Sequence, residues 1–266
     1  MPAYVHGYSK RETTRLQDQA DALVDIIHGK AIFPAGSRIL EPGCGTGSQT
    51  ITLAANNPDA VITSMDVSTA SLDKAKSRTA HLPNVSFKQG DIYGLPFEDG
   101  SFEHVFVCFV LEHLKEPVQA LAELKRVLKI GGSLTVVEGD HGSFYCHPHS
   151  AVTMQAVDCL IKSQALAGGN SLIGRELYPL LRKAGFNAPV VVPHIVYVDD
   201  SKPELVEGFS KNTFTAMIEG VRNTALELKL IDETTFDDGI RGLYRATEAD
   251  GTFCYTFFRG TAIKSP

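Results

Sequence analysis

The sequence predicts an α/β chain built on a doubly wound, seven-stranded, mostly parallel sheet, and three observations predict it. Runs of strand character alternate with runs of helical character along the first half of the chain. The apolar run Arg38-Ile-Leu-Glu41 leads into the glycine-rich turn Glu41-Pro-Gly-Cys-Gly-Thr-Gly47 and then into helix-like sequence. The next apolar run, Val61-Ile-Thr-Ser-Met65, ends at an acid, Asp66. A strand that ends in glycines and turns into a helix brings bare backbone against a ligand, with the helix N-terminus aimed at it. An acid at the end of the following strand stands where such sheets bind ribose hydroxyls. Together these features predict a nucleotide-type pocket.

The elements follow in order. A helix is expected near 12–28, then strand 38–41, helix 48–56, strand 61–66 and helix 69–81. Leu82-Pro-Asn84 breaks the chain before strand 85–89, strand 102–108 and helix 116–128 follow, and Ile130-Gly-Gly132 punctuates the entry to strand 132–138. Past Glu138 the pattern loosens. Ala151–Ala167 and Gly174–Ala184 read as helices, Val190–Val198 as a sixth strand, and Gly251–Lys264 contains a final strand. About fifty residues, Asp199 to Asp250, separate the last two strands, far more than a hairpin loop holds. Their helical periodicity, as in Leu205–Phe209 and Met217–Leu226, marks a helical insertion. It serves either as a cap over the strand ends, where open α/β sheets bind ligands, or as the interface of a homodimer. The expected organisation is an N-terminal cap segment 1–35, a core 36–198, the insertion 199–250 and a final core strand within 251–266.

Composition narrows the function. With 266 residues, 43% of them hydrophobic, the chain can bury a full core. A net charge of −6 without a basic block argues against nucleic acid as partner. No apolar run is long enough to span a bilayer, and the first residues lack a signal-peptide core, so a cytoplasmic protein is expected. The five cysteines, at 44, 108, 146, 159 and 254, include no Cys-x-x-Cys pair and are read as reduced thiols.

Further motifs extend the pattern: Met65-Asp-Val-Ser68, Gly90-Asp-Ile92, Leu95-Pro-Phe-Glu-Asp99, Ser101-Phe-Glu-His-Val105, Val110-Leu-Glu-His-Leu114 and Lys125–Gly132. In this ordered set, over roughly residues 36 to 140, the chain resembles the class I S-adenosylmethionine-dependent methyltransferases. It is most similar to the small-molecule branch typified by the ubiquinone and menaquinone C-methyltransferases. The resemblance implies a Rossmann-like methyltransferase fold and S-adenosyl-L-methionine as cofactor. Gly43, Gly45 and Gly47 would let backbone approach it, and Asp66, followed by Val67, would accept the ribose hydroxyls. Asp91 would lie beside the adenine amino group with Ile92 as an apolar wall. The backbone at Cys108 and Phe109 would face the methionine moiety. Glu41 either orients the loop or the ammonium or merely caps the loop. Tyr8, in the segment before the first strand, would close the site, since aromatic faces attract a sulfonium cation.

A sulfonium is already an activated electrophile, so positioning and exclusion of water supply most of the acceleration. A base is needed only where the acceptor must lose a proton. Glu138-Gly-Asp-His-Gly142 lies where a base would be, just past the fifth strand, and His141 is the catalytic candidate, with Asp140 or Glu138 to orient it. The plain alternative is a surface-loop histidine. Asp140, His141, His147 and His149 lack a metal-ligand spacing, and no metal is expected. His113 would brace the pocket. Phe144, Tyr145, Phe209, Phe214 and Phe258 either line an apolar acceptor pocket or belong to the core. The expected reaction moves a methyl group to an O, N, S or C atom of a small apolar or aromatic acceptor. The alternatives are an NAD(P)-dependent oxidoreductase, because Ser48 could complete a dinucleotide fingerprint, and a silent cofactor-binding or interaction protein on the same fold.

Overall fold

Strands β1 (Arg38–Pro42), β2 (Val61–Asp66), β3 (Val85–Gln89) and β4 (Phe102–Cys108) are separated by helices α2 (Ser48–Asn56) and α3 (Thr69–Arg78), and a short helix α1 (Val24–His28) precedes them. Helix α4 (Pro117–Val127) leads into the long strand β5 (Leu128–His147), followed by α5 (Ala151–Leu166), α6 (Leu177–Lys183) and β6 (Val190–Val198). The computed structural model describes residues 23–29 and 31–266. The first part of the helix expected over 12–28, and Tyr8, lie outside the described residues.

The seven strands form one sheet in the order β3-β2-β1-β4-β5-β7-β6, where β7 is Thr252–Ile263. The first five run parallel, and β7 pairs antiparallel with both β5 and β6. The chain therefore moves outward from β1 in one direction, then restarts on its other side at β4. The crevice at that reversal, beyond the C-terminal ends of β1 and β4, is where doubly wound sheets hold ligands.

Local sequence explains the boundaries. The Ser68 hydroxyl caps α3 by accepting from the Ser71 N–H, and Pro117 opens α4 at a position where a missing N–H is harmless. Helix α3 stops at Arg78 rather than reaching residue 81, because the Thr79 hydroxyl donates to the Ala75 carbonyl and closes the last turn. The segment expected as one helix over 174–184 opens as a 3-10 turn, Ile173–Glu176, before α6.

The larger departure is β5. The strand expected over 132–138 starts at Leu128 and runs to His147, so Glu138–Gly142 lies within the sheet and not in a loop past it. Its polar residues disguise it. Glu138, Asp140 and His141 are each bonded to a partner distant in sequence, and β7 supplies the ladder, with a register slip between Asp140 and Tyr145.

Between β6 and β7 the chain forms α7 (Pro203–Leu205), a π-helical stretch Val206–Thr215, α8 (Ala216–Gly220), α9 (Arg222–Glu227) and α10 (Glu233–Arg245). In the π-helical stretch the Thr213 and Thr215 hydroxyls donate to the carbonyls five residues back, Gly208 and Ser210. Phe209, Phe214, Met217, Ile218, Phe236 and Leu243 of this segment are buried in the same core as Ile39, Leu53 and Phe106. A second core on the other side of the sheet holds Leu40, Val105, Val107, Leu124 and Val136 against α4 and α6. These six side chains of the insertion are thus covered within the chain, while Leu228 and Tyr244 are exposed.

Candidate functional site

Loops from four parallel strands and the middle of β5 meet at the crevice. The turn after β1 depends on glycine: Gly43, Gly45 and Gly47 have φ of 73°, 53° and 80°. A Cβ on Gly43 would lie 2.5 Å from a Val110 methyl, and one on Gly47 would lie 3.1 Å from the Ala75 backbone. The loop is anchored to β2, as the Gly43 and Cys44 N–H groups donate to the Met65 carbonyl at 2.7 and 3.0 Å. The Gly45 N–H donates to Asp66 Oδ2 at 2.9 Å, while Asp66 Oδ1 accepts from the Ser68 N–H at 2.8 Å. Glycine loop and acid are therefore one unit.

Glu41 is buried beneath this unit. Its Oε2 accepts from the Thr50 hydroxyl at 2.7 Å and the Ser64 hydroxyl at 2.6 Å, which ties β1 to α2 and β2. Burial lifts its carboxyl from 4.5 to about 7 against the pull of the two hydroxyls. Glu41 thus braces the floor of the loop. Val67 is half exposed beyond Asp66. After β3, Asp91 Oδ1 accepts from the Tyr93 N–H at 3.0 Å and Ile92 is buried at the rim.

After β4 the backbone is strained. Phe109 has φ 56°, a left-handed conformation uncommon for a bulky residue, and its N–H bonds to the Val137 carbonyl at 2.9 Å. The turn is fixed by Glu138, whose Oε1 accepts from the Val110 and Leu111 N–H groups at 3.0 and 2.7 Å. Burial, then the neighbouring Glu112, push the Glu138 carboxyl well above its ordinary range, against the pull of the backbone N–H groups that bond to it. Burial likewise keeps the Cys108 thiol protonated.

His141 is buried and does not lie on the surface. It is 5% exposed, and its Nδ1 lies 2.6 Å from the Tyr255 hydroxyl. Glu138 is committed to the turn after β4, and Asp140 forms a two-pronged ion pair with Arg175, Nε–Oδ2 2.7 Å and Nη2–Oδ1 2.8 Å. Tyr255 is the functional candidate that sequence reasoning missed. A signal was present in Gly139, since a glycine inside a strand often marks the close approach of another group.

The five aromatic residues read as either pocket lining or core do not share one side of the sheet. Phe144, Phe209 and Phe214 meet Phe253, Tyr255 and Phe257 in tilted and edge-to-face ring contacts on the His141 side of the sheet. Phe258 belongs to the opposite core and Tyr145 is 58% exposed, because alternate residues of a strand face opposite sides. His113 Nε2 lies 3.6 Å from Glu112 at the rim of the same region.

Residues 40–136 match the family model described as methyltransferase domain. A protein encoded in a transposon of Streptomyces fradiae is 37% identical over 192 residues, 70% of this chain and 54% of that protein. Demethylmenaquinone methyltransferase of Staphylococcus aureus is 40% identical over 104 residues, 39% of this chain and 43% of that enzyme. The chain thus spans about half the length of the curated relatives it matches. The solved structure of a putative methyltransferase from Bacillus halodurans covers 91% of this chain, and 99% of its own is covered, at TM-score 0.60 and 17% identity, a likeness of fold. Among the described residues, no helix is long and apolar enough to cross a membrane. With its glycine loop, its acid after β2 and this sheet order, the chain carries over residues 40–136 the methyltransferase domain that the family model describes.

Proposed function

We propose that this chain transfers a methyl group from S-adenosylmethionine to a small apolar or aromatic acceptor and releases S-adenosylhomocysteine. The observation that carries the reading is the Gly45–Asp66 unit at the sheet's reversal point, inside a methyltransferase domain. The cradle fits such a cofactor. At Gly43 a side chain would collide with Val110, while at Gly45 nothing lies within 4 Å of the missing Cβ, so that side is open to a ligand. Asp66 spends one lone pair on each oxygen on backbone N–H groups and retains acceptor capacity for two ribose hydroxyls.

In this reading Asp91, Ile92 and Val67 border the adenosine portion, and the Cys108–Phe109 backbone borders the methionine portion. Tyr8, outside the described residues, is the residue this reading assigns to closing the site. When bound, the cofactor supplies a methyl group already activated on a sulfonium. The protein's work is to hold the two reactants in line and keep water out, which the aromatic wall of Phe109 and Phe257, 5.6 Å apart, favours. His141 is the catalytic candidate on the acceptor side. The free, mostly buried thiols support a cytoplasmic setting. The reading includes no nucleic-acid or membrane partner, and it leaves a homodimer as an outcome for solution scattering.

Calorimetric titration with S-adenosylhomocysteine and with NADH tests it. Binding of the first alone, lost in Asp66→Ala, is expected and would justify an acceptor screen. Binding of NADH, or of neither ligand, would overturn the assignment.

A further inference from the structure

At the crevice, most polar side chains have a structural commitment: Glu138 to the turn after β4, Asp140 to Arg175, Glu41 to Thr50 and Ser64. The pair His141 and Tyr255 stands apart. The residues are 114 positions apart in sequence, both buried, and joined through Nδ1 and the phenol oxygen at 2.6 Å.

Three features show that the fold is built around this contact. Gly139 lies on the same face of β5 as His141, and a Cβ there would overlap the Tyr255 hydroxyl, so only glycine lets the phenol cross β5 to the imidazole. The bulge that carries His141 is also rigid. Its N–H donates to the Ser171 carbonyl at 2.9 Å, Gly142 N–H donates to Asp140 Oδ1, the Ser143 hydroxyl donates to the Asp140 carbonyl, and Thr256 N–H donates to the Ser143 hydroxyl. Bulges of this kind re-aim side chains beside active sites. Finally, ring contacts run without a break from the end of β4 to the pair: Phe109 to Phe257 at 5.6 Å and Phe257 to Tyr255 at 4.8 Å. The pair is thereby coupled to the strained backbone that borders the proposed methionine end.

The direction of the hydrogen bond follows from what surrounds the phenol: among the described residues, His141 Nδ1 is the acceptor that the Tyr255 O–H meets. Burial, with Glu112 and Asp140 nearby, pushes Tyr255 well above the ordinary tyrosine range, which keeps that proton in place. Burial without a bond would leave that hydroxyl desolvated and uncompensated. We propose that Tyr255 is a positioning residue for His141, its hydroxyl donating to Nδ1 and holding the ring in one orientation, in the tautomer with the proton on Nε2. An imidazole so held offers its partners an N–H at Nε2 and not a lone pair. On the acceptor side it steadies negative charge and does not remove a proton. That catalytic role rests on the function proposed above, whereas the hydrogen bond and the tautomer do not.

The test is the long-range proton–nitrogen spectrum of the imidazoles in uniformly nitrogen-15-labelled full-length protein, with His141 assigned from His141→Gln. The expected result is a single Nε2–H tautomer in the native protein, a change to mixed tautomers in Tyr255→Phe, and no change in Tyr145→Phe, which alters an exposed tyrosine. A proton on Nδ1, or a Tyr255→Phe spectrum identical to the native one, would overturn the proposal. The native spectrum alone decides the tautomer if Tyr255→Phe does not fold. Once an acceptor is found, Tyr255→Phe should lower kcat by about tenfold or more while S-adenosylhomocysteine affinity stays within about twofold. Failure of the native protein to bind S-adenosylhomocysteine would sink the proposed function and leave the tautomer result standing.

Discussion

The Gly45 N–H donates to Asp66 Oδ2 across the gap between the turn after β1 and the end of β2, at 2.9 Å. One carboxylate therefore shapes the loop and, in the proposed function, binds the ribose. Asp66→Asn keeps the size of the side chain but not the charge or the second acceptor oxygen. It should weaken S-adenosylhomocysteine binding by roughly 2–3 kcal/mol, about 30- to 150-fold, the range for hydrogen bonds to a charged group. Calorimetry reads this directly, and affinity within threefold of native would show that Asp66 serves the loop alone.

Gly43→Ala attacks the same loop sterically. The new methyl would lie 2.5 Å from Val110 Cγ2, and φ of 73° is strained for any L side chain. The loop must move to relieve both. A stability loss of about 1–3 kcal/mol is expected in urea denaturation, together with loss of detectable cofactor binding. Gly45→Ala shares the left-handed backbone but has open space, so it should cost less stability and act mainly on the ligand.

Glu41 gives the fold a pH dependence. Its carboxyl is raised from 4.5 to about 7, so between those values the folded chain holds a proton that the unfolded chain has lost. This contribution is complete below pH 4.5 and is lost as pH rises to about 7, a fall of up to about 3 kcal/mol. Glu41→Gln imitates the neutral acid with its two hydroxyl partners in place. The variant should match the native protein near pH 4.5 and exceed it in stability at pH 8. Parallel slopes of the two proteins against pH would show that Glu41 does not titrate in this range.

The strands, the sheet and the glycine loop were legible because they are written in local pattern. Apolar runs bounded by glycine and proline gave β1 through β4 within a residue of their ends, and Ser48–Asn56 announced α2. β5 was legible only in part. Glu138, Asp140 and His141 look like loop residues in a linear string, and only the fold reveals Leu111, Arg175 and Tyr255 as their partners. Pocket lining and core stayed open for Phe258 and Tyr145 for a related reason: composition gives aromatic character, but strand parity gives the face. Arg259 could not be read at all, since a lone arginine in an apolar strand carries no sign that its partners are helix carbonyls 232 and 233 positions away.

Arg259 supplies the last prediction. It is 4% exposed on β7, and its Nη2 donates to the Ile26 and Ile27 carbonyls at 2.6 Å each. These are C-terminal carbonyls of α1, which have no partner within the helix. Nε and Nη1 have no partner among the described residues, and burial pulls the guanidinium below its ordinary ionisation range. The arginine therefore gains two charge-assisted bonds while carrying a desolvation cost of several kcal/mol. Arg259→Met removes both terms, so the change in global stability should be small. The two carbonyls, however, lose their donor and must find water, which they can do only if α1 lifts from the sheet. Hydrogen exchange should accordingly quicken at the Ile27 amide, which bonds to the Leu23 carbonyl at 2.9 Å, by about tenfold or more, while amides of β4 keep native protection. Unchanged exchange at Ile27 would mean that apolar packing of Leu23 and Ile27 holds α1 unaided.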